Sequence, residues 1–138
     1  MNQTLTQYAA PLGRFLLAFV FLASAFNKIT DFSGTTGYMA ASGMTVATSF
    51  FLAGAIVFLV VGGLSLLLGF QARIGALLLI AFLIPTTIIF HGFWKFEGDA
   101  AQMQMIQFMK NCSILGGLFM VVAQGSGACS LDSYLKKG

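Results

Sequence analysis

Between Phe32 and Ala72 the chain carries no charged residue. A helix of about 20 mostly apolar residues already crosses roughly 30 Å of hydrocarbon, so this stretch alone exceeds one membrane span. The rest of the 138-residue chain is similar in character: 58% of it is hydrophobic and 8% charged, with a mean hydropathy of +0.90. That is too little polar surface to cover a water-soluble globule of this size. The apolar runs are continuous and do not alternate over about 10 residues, which implies helices and not barrel strands.

Four spans follow from the pattern, at 11–29, 46–70, 74–90 and 106–124. Pro11 suits a helix start, because its missing N–H falls among donors left unpaired there anyway. The "GFQAR" stretch reads as a tight turn, and Pro85 inside the third span should kink it by removing the donor to the carbonyl four residues earlier. The loop "TDFSGTTGYMAASG", 30–43, has breakers at both ends and room for a short helix around Tyr38 to Ala41 that caps the bundle or lies on the membrane. Arg14, the apolar run from Phe15 to Ala23 and "ASA" at 23–25 resemble a cleavable secretory signal. With the chain beginning at Met1, the expectation is that this segment stays as the first membrane helix. The fold expected is all-α, an integral membrane four-helix bundle forming a single domain over residues 1–138.

With an even number of spans both termini share one side, which carries Arg14, Arg73, Lys136 and Lys137. Lys28, Lys95 and Lys110 lie toward the other side, with Asp31, Glu97 and Asp99. Cytoplasmic flanks carry the excess of Lys and Arg, so the N and C termini are expected in the cytoplasm, in a bacterial inner membrane. The chain has no charge run, and no nucleic-acid partner is expected; its first partner is the lipid bilayer.

The stretch "IIFHGFWKFEGD" gathers the single histidine and the single tryptophan of the chain. At about 1.5 Å per residue, Lys28 stands roughly 21 Å above Arg14, Lys110 roughly 22 Å above Gly125 and His91 roughly 27 Å above Arg73. All three fall within the outer leaflet of a core about 30 Å thick. Asn27 and Asn111 adjoin the two lysines and add amide groups at the same depth. Thr87 shares a helix face with His91, and Gln107 shares one with Lys110 and Asn111. Intramembrane charge is costly and points to function. The bland reading is that lysine stems snorkel to headgroups, Trp94 and Phe96 join an interfacial aromatic belt, and His91 caps a helix end.

A basic cluster of this kind repels cations and favours anions or ligands with carbonyl oxygens. A quinone or quinol head group fits: it is flat and lipid-borne, has two acceptors, and can stack on Trp94 or on phenylalanines. Histidine, which titrates near neutral pH, is the natural proton carrier. The ligand-binding residues expected are therefore Lys28, Asn27, His91, Lys110, Asn111, Thr87 and Trp94. The alternative class is a transporter or binding protein for a small lipid-soluble or anionic metabolite.

No Gly-rich phosphate loop, Cys-x-x-Cys or second histidine is present, so no covalently bound cofactor is expected. Cys112 and Cys129 are separated by about 25 Å along a helix, beyond disulfide reach, and Cys112 reads as a packed apolar residue. Met103, Met105 and Met109 with His91 and Cys112 are soft ligands of the kind that hold Cu(I), a third reading. It is weakened because 103 and 105 point to different helix faces, and no metal site is expected. Gly62-Gly63 and Gly116-Gly117 suit close helix approach, and the second and fourth spans are expected to touch there.

The segments "GRFLLAFVFLASAFNKI", "GGLSLLLGFQAR", "FHGFW", "FMKN" and "GSGACSLD", in order across nearly the whole chain, resemble the DoxX family of small four-helix bacterial inner-membrane proteins. The family takes its name from a subunit linked to archaeal quinol oxidase and thiosulfate:quinone oxidoreductase, and is associated with quinone-resistance operons. The resemblance implies an accessory or quinone-interacting subunit of a quinone-linked or redox-defence system, beside other membrane redox subunits, and assigns no catalytic residue. It points to Arg14, Lys28, His91, Lys110 and Asn111 as family-pattern positions. Relatives often carry a glutamate three residues before the Gly-Gly of the second span. Here that position is Leu59, so this chain lacks an intramembrane carboxylate that could pair with a lysine or relay protons.

Overall fold

A computed structural model describes residues 3–136; Lys137, one of the charges used to orient the chain, lies outside them. The helices are α1 (Gln3–Thr30), α2 (Phe32–Ala41), α3 (Thr48–Leu68), α4 (Ala72–Phe90), α5 (Gly98–Gln124) and the short α6 (Leu131–Leu135), with a 3-10 turn at Phe93–Lys95. Four segments are long and apolar enough to cross a membrane: α1, α3, α4 with the turn after it, and α5. The chain is an all-helical membrane protein.

Helix ends differ from expectation where the sequence is polar. Helix α1 starts at Gln3, so Pro11 lies inside it and does not open it. The carbonyl Pro11 leaves without a donor belongs to Gln7, in an exposed turn where water can satisfy it. Helix α5 likewise begins at Gly98, ahead of the expected 106. The loop helix is longer than expected as well: Asp31 caps α2 by accepting from the Gly34 amide at 3.2 Å.

Helix α1 packs on α3, α3 on α4, and α4 on α5, with a slighter return contact from α5 to α1. The shared core is built from Ala18, Phe21, Leu59, Leu66, Ala76, Leu79 and Leu118, all nearly or fully buried. Phe19, Phe26, Val57, Leu77 and Phe119 point outward, as side chains facing acyl chains do. The two glycine pairs do not meet each other. A Cβ on Gly62 would stand 2.6 Å from Leu79 Cγ and 2.9 Å from the Gly75 carbonyl, both on α4, and one on Gly63 would strike Leu22 of α1. Gly117 faces Leu17 of α1, and Gly116 faces open space. Bundle order is the reason: α4 stands between α3 and α5.

The α3–α4 connection is as tight as the sequence implies. Gly69 (φ +64°) and Gln71 (φ +50°) both adopt left-handed backbone, and the Gly69 and Phe70 amides close back onto the Leu66 and Ser65 carbonyls. Helix α4 then runs unbroken through Pro85. The hydroxyls of Thr86 and Thr87 each donate to the carbonyl four residues back, at 2.7 Å.

Candidate functional site

In the half of the bundle toward α2, the small residues Gly54 and Ala55 on α3 and Ala81 on α4 leave a cavity of about 670 Å³. Helix α2 roofs it with Thr35, Tyr38 and Met39, and aromatic walls come from Phe50, Phe51, Phe58, Phe82 and Phe90. Tyr38 and Phe90 stack with ring centroids 5.7 Å apart, tying roof to wall. Ala81 and Pro85 both line the space. Proline has no N–H for the Ala81 carbonyl, so that oxygen lacks its usual helical donor.

The ionisable side chains at this cavity are Lys28, Tyr38 and His91. Lys28, on the last turn of α1, donates from Nζ to Ser24 Oγ at 3.0 Å, a partner four residues back on the same helix face. His91 terminates α4, its amide donating to the Thr87 carbonyl at 3.1 Å. Its Nδ1 lies 2.8 Å from Gln104 Oε1 of α5. In the tautomer that donates from Nδ1 to this amide oxygen, Nε2 is left as an acceptor.

Lys28 and His91 thus come together as the depth argument expected, while the other candidates do not join them. Lys110 and Asn27 are exposed on the outside of α5 and α1, because the exposed faces of those helices include them; neither lines the cavity. Thr87 and Asn111 are buried but engage one another, Asn111 Nδ2 donating to Thr87 Oγ1 at 3.0 Å. Trp94 packs edge-on against Phe93 and Phe108 and stands more than half exposed at 56%, an interfacial position. The expected capping helix is the α2 roof and phenylalanines do form the walls, but which rings face the cavity, and Gln104, were not legible in the sequence. Ser24, four residues from Lys28, was the available clue.

Met103, Met105 and Met109 are all exposed on α5, Met105 and Met109 on one face and Met103 on another. Among the described residues no three His, Cys, Asp or Glu side chains converge as a metal site. Cys112, expected to pack, is exposed, as is Cys129, and both are free thiols.

The opposite end of the bundle holds a network that sequence reasoning passed over. Arg14 is only 3% exposed, and its guanidinium donates to the Leu66, Ala128 and Cys129 carbonyls at 3.4, 3.3 and 2.9 Å. Asp132 accepts from the Gln71 amide at 3.1 and 3.0 Å and from the Ser126 hydroxyl, while its own amide donates to the Gly69 carbonyl. Ser126 Oγ also accepts from the Ala72 amide at 3.4 Å. The Ser126 hydroxyl, then the Gln71 amide, hold the Asp132 carboxyl below the usual carboxylate range; partial burial opposes them, and Lys136 and Arg14 add to the shift. The residues "GSGACSLD" after α5 therefore fasten the α3–α4 turn and the first helix to the end of the fourth span.

Comparison with known proteins agrees with this architecture. Residues 9–92 match the family model described as DoxX. Inner membrane protein YphA of Escherichia coli is 35% identical over 88% of this chain and 86% of its own. Inner membrane protein YqjF of the same organism is 34% identical over 91% of both. A more distant likeness, 29% identity over 51% of this chain and 27% of the relative, links it to the Surfeit locus protein 4 homolog of Drosophila melanogaster. No solved structure matches. With four spanning helices and two near-full-length inner-membrane relatives, the chain is a multi-pass inner-membrane protein that belongs to the DoxX family.

Proposed function

We propose that the protein binds a quinone or quinol head group in the cavity beneath α2 and serves as an accessory subunit of a membrane redox or quinone-stress system. The observation that carries this reading is the cavity itself: about 670 Å³, walled by aromatic rings, with Lys28 and His91 both on its lining. Sites for small organic ligands have this size and this ratio of apolar wall to a few polar anchors. A lysine ammonium suits a quinone carbonyl or quinolate oxygen, and the free Nε2 of His91 suits a quinol hydroxyl. Lys28 is costly to hold in the membrane with only a serine as partner, and an acceptor on the ligand offsets that cost.

A carrier for a small lipid-soluble or anionic metabolite would need a path through both leaflets. Below the cavity, Leu59, Leu66, Leu79 and Leu118 fill the core, and Arg14 closes the far end. That filling supports binding over passage.

The test is equilibrium binding of a short-tailed quinone to the protein in nanodiscs. Lys28→Met and His91→Phe should each weaken binding by roughly 1.5–3 kcal/mol, the scale of a hydrogen bond to a charged group. Affinity unchanged in both variants would overturn the reading.

A further inference from the structure

Where the α3–α4 turn meets the chain after α5, Arg73 and Lys136 line a second cavity, polar and about 320 Å³ in volume. Asp132, the carboxylate on its lining, is already engaged: the Gln71 amide and the Ser126 hydroxyl donate to its oxygens. Arg14 adds positive charge near it from the core side. Arg73 spends only Nη2 on the protein, donating to the Ala123 carbonyl at 3.2 Å. Lys136 acts on Asp132 through its charge, without a salt-bridge contact among the described residues. Gly125, at φ +80°, lies flat against the Arg73 guanidinium, where an added Cβ would stand 3.4 Å from Nε and 3.5 Å from Cζ. A glycine there lets the chain after α5 pass close beside the guanidinium at a positive φ.

We propose that this pocket holds a phosphate group, with Arg73 and Lys136 as its cationic partners and the Gln71 side-chain amide as a neutral donor. A guanidinium fork and a lysine point charge are the pair of side chains best matched to phosphate oxygens. The pocket sits where α3 ends, α4 begins and α5 ends, and the ends of span-length helices are where lipid head groups lie. The phosphate can belong to an anionic phospholipid of that leaflet or to a water-soluble phosphate ester. This site is independent of the quinone cavity.

Both cations are exposed, so replacing them leaves the bundle intact. Purified protein is titrated with phosphatidylglycerol, with phosphatidylcholine as the zwitterionic control, and separately with glycerol 3-phosphate and inorganic phosphate, read by native mass spectrometry and calorimetry. The expected result is retention of phosphatidylglycerol or of a soluble phosphate at least about tenfold more tightly by the native protein than by the Arg73→Gln, Lys136→Gln double variant. Phosphatidylglycerol alone responding assigns the lipid source; glycerol 3-phosphate or inorganic phosphate responding assigns the soluble one. Equal binding of all three probes by native protein and double variant, with unchanged melting, overturns the site.

Discussion

Asn111 Nδ2 donates to Thr87 Oγ1 across the α4–α5 interface at 3.0 Å, with both side chains buried. Each was a ligand candidate by depth, and each is instead the other's partner. Interhelical hydrogen bonds in membranes couple by about 0.6 kcal/mol on average and up to roughly 1.7. A double-mutant cycle with Thr87→Val and Asn111→Leu, read by unfolding in mixed micelles, should return a coupling in that range. Quinone affinity should stay within about twofold in Thr87→Val, because the cavity lining does not include this residue.

Lys110 provides the sharpest contrast with Lys28. It is exposed on α5 and absent from the cavity lining. Lys110→Met should therefore leave quinone affinity unchanged while Lys28→Met lowers it, and calorimetry on the two variants side by side decides. Equal losses would mean that the two lysines share one ligand.

The two glycine pairs differ in what a methyl group would meet. Gly62→Ala forces α3 off the Leu79 side chain and the Gly75 carbonyl, whereas Gly116→Ala meets nothing within 4 Å. Overpacking costs about 1–3 kcal/mol, so thermal unfolding in detergent should show Gly62→Ala clearly destabilised and Gly116→Ala close to the native protein.

Acid should loosen the end of the bundle that carries Asp132. Its carboxyl is held low by the Ser126 hydroxyl and the Gln71 amide, so its folded value lies below that of the unfolded chain. The ionised group then contributes its stability in full above the ordinary carboxylate range near about 4, and that contribution is lost as pH falls through the depressed value. Melting curves across pH should show a lower midpoint for Asp132→Asn at neutral pH, and convergence of the two proteins on acidification. Parallel curves at every pH would remove Asp132 from the account.

Orientation is proposed from charge. Arg14 is occupied by carbonyls inside the bundle, so Arg73, Lys136 and Lys137 carry the bias toward the cytoplasm, opposed by Lys95 and the exposed Lys110. Single cysteines at 73 and 97, in a background with both native cysteines replaced, should be labelled from outside intact cells only at 97. Labelling at 73 alone would invert the topology.

The spans were legible in the sequence because the bilayer imposes a length and an apolar content on each of them. Helix starts were less so: Gln3 to Ala10 and Gly98 to Met105 are polar enough to read as loop, yet they continue helices that extend past the hydrocarbon. For the site, rise per residue placed Lys28, His91 and Lys110 at similar depth but carried no information on which neighbour each helix faces. Only the order of packing, α1 on α3 on α4 on α5, separates Lys28 from Lys110. The Asp132 latch was hidden for another reason: a lone aspartate in a short tail has no periodicity, and its partners, the Gln71 amide and the Ser126 hydroxyl, lie 61 and 6 residues away on turns that no side-chain pattern brings together.

Arg14 lies 114 residues ahead of Ala128 and 115 ahead of Cys129, the carbonyls to which it donates. During translation its guanidinium reaches the bilayer long before those acceptors exist, and until they emerge it must rest among head groups and water. Insertion of the spans therefore comes first and closure of the bundle second, with the stretch after the fourth span fastening the first helix in place. A nascent chain arrested before residue 126 should hold inserted helices whose ends remain accessible to protease, and protection should arise abruptly once residues 126–132 are released.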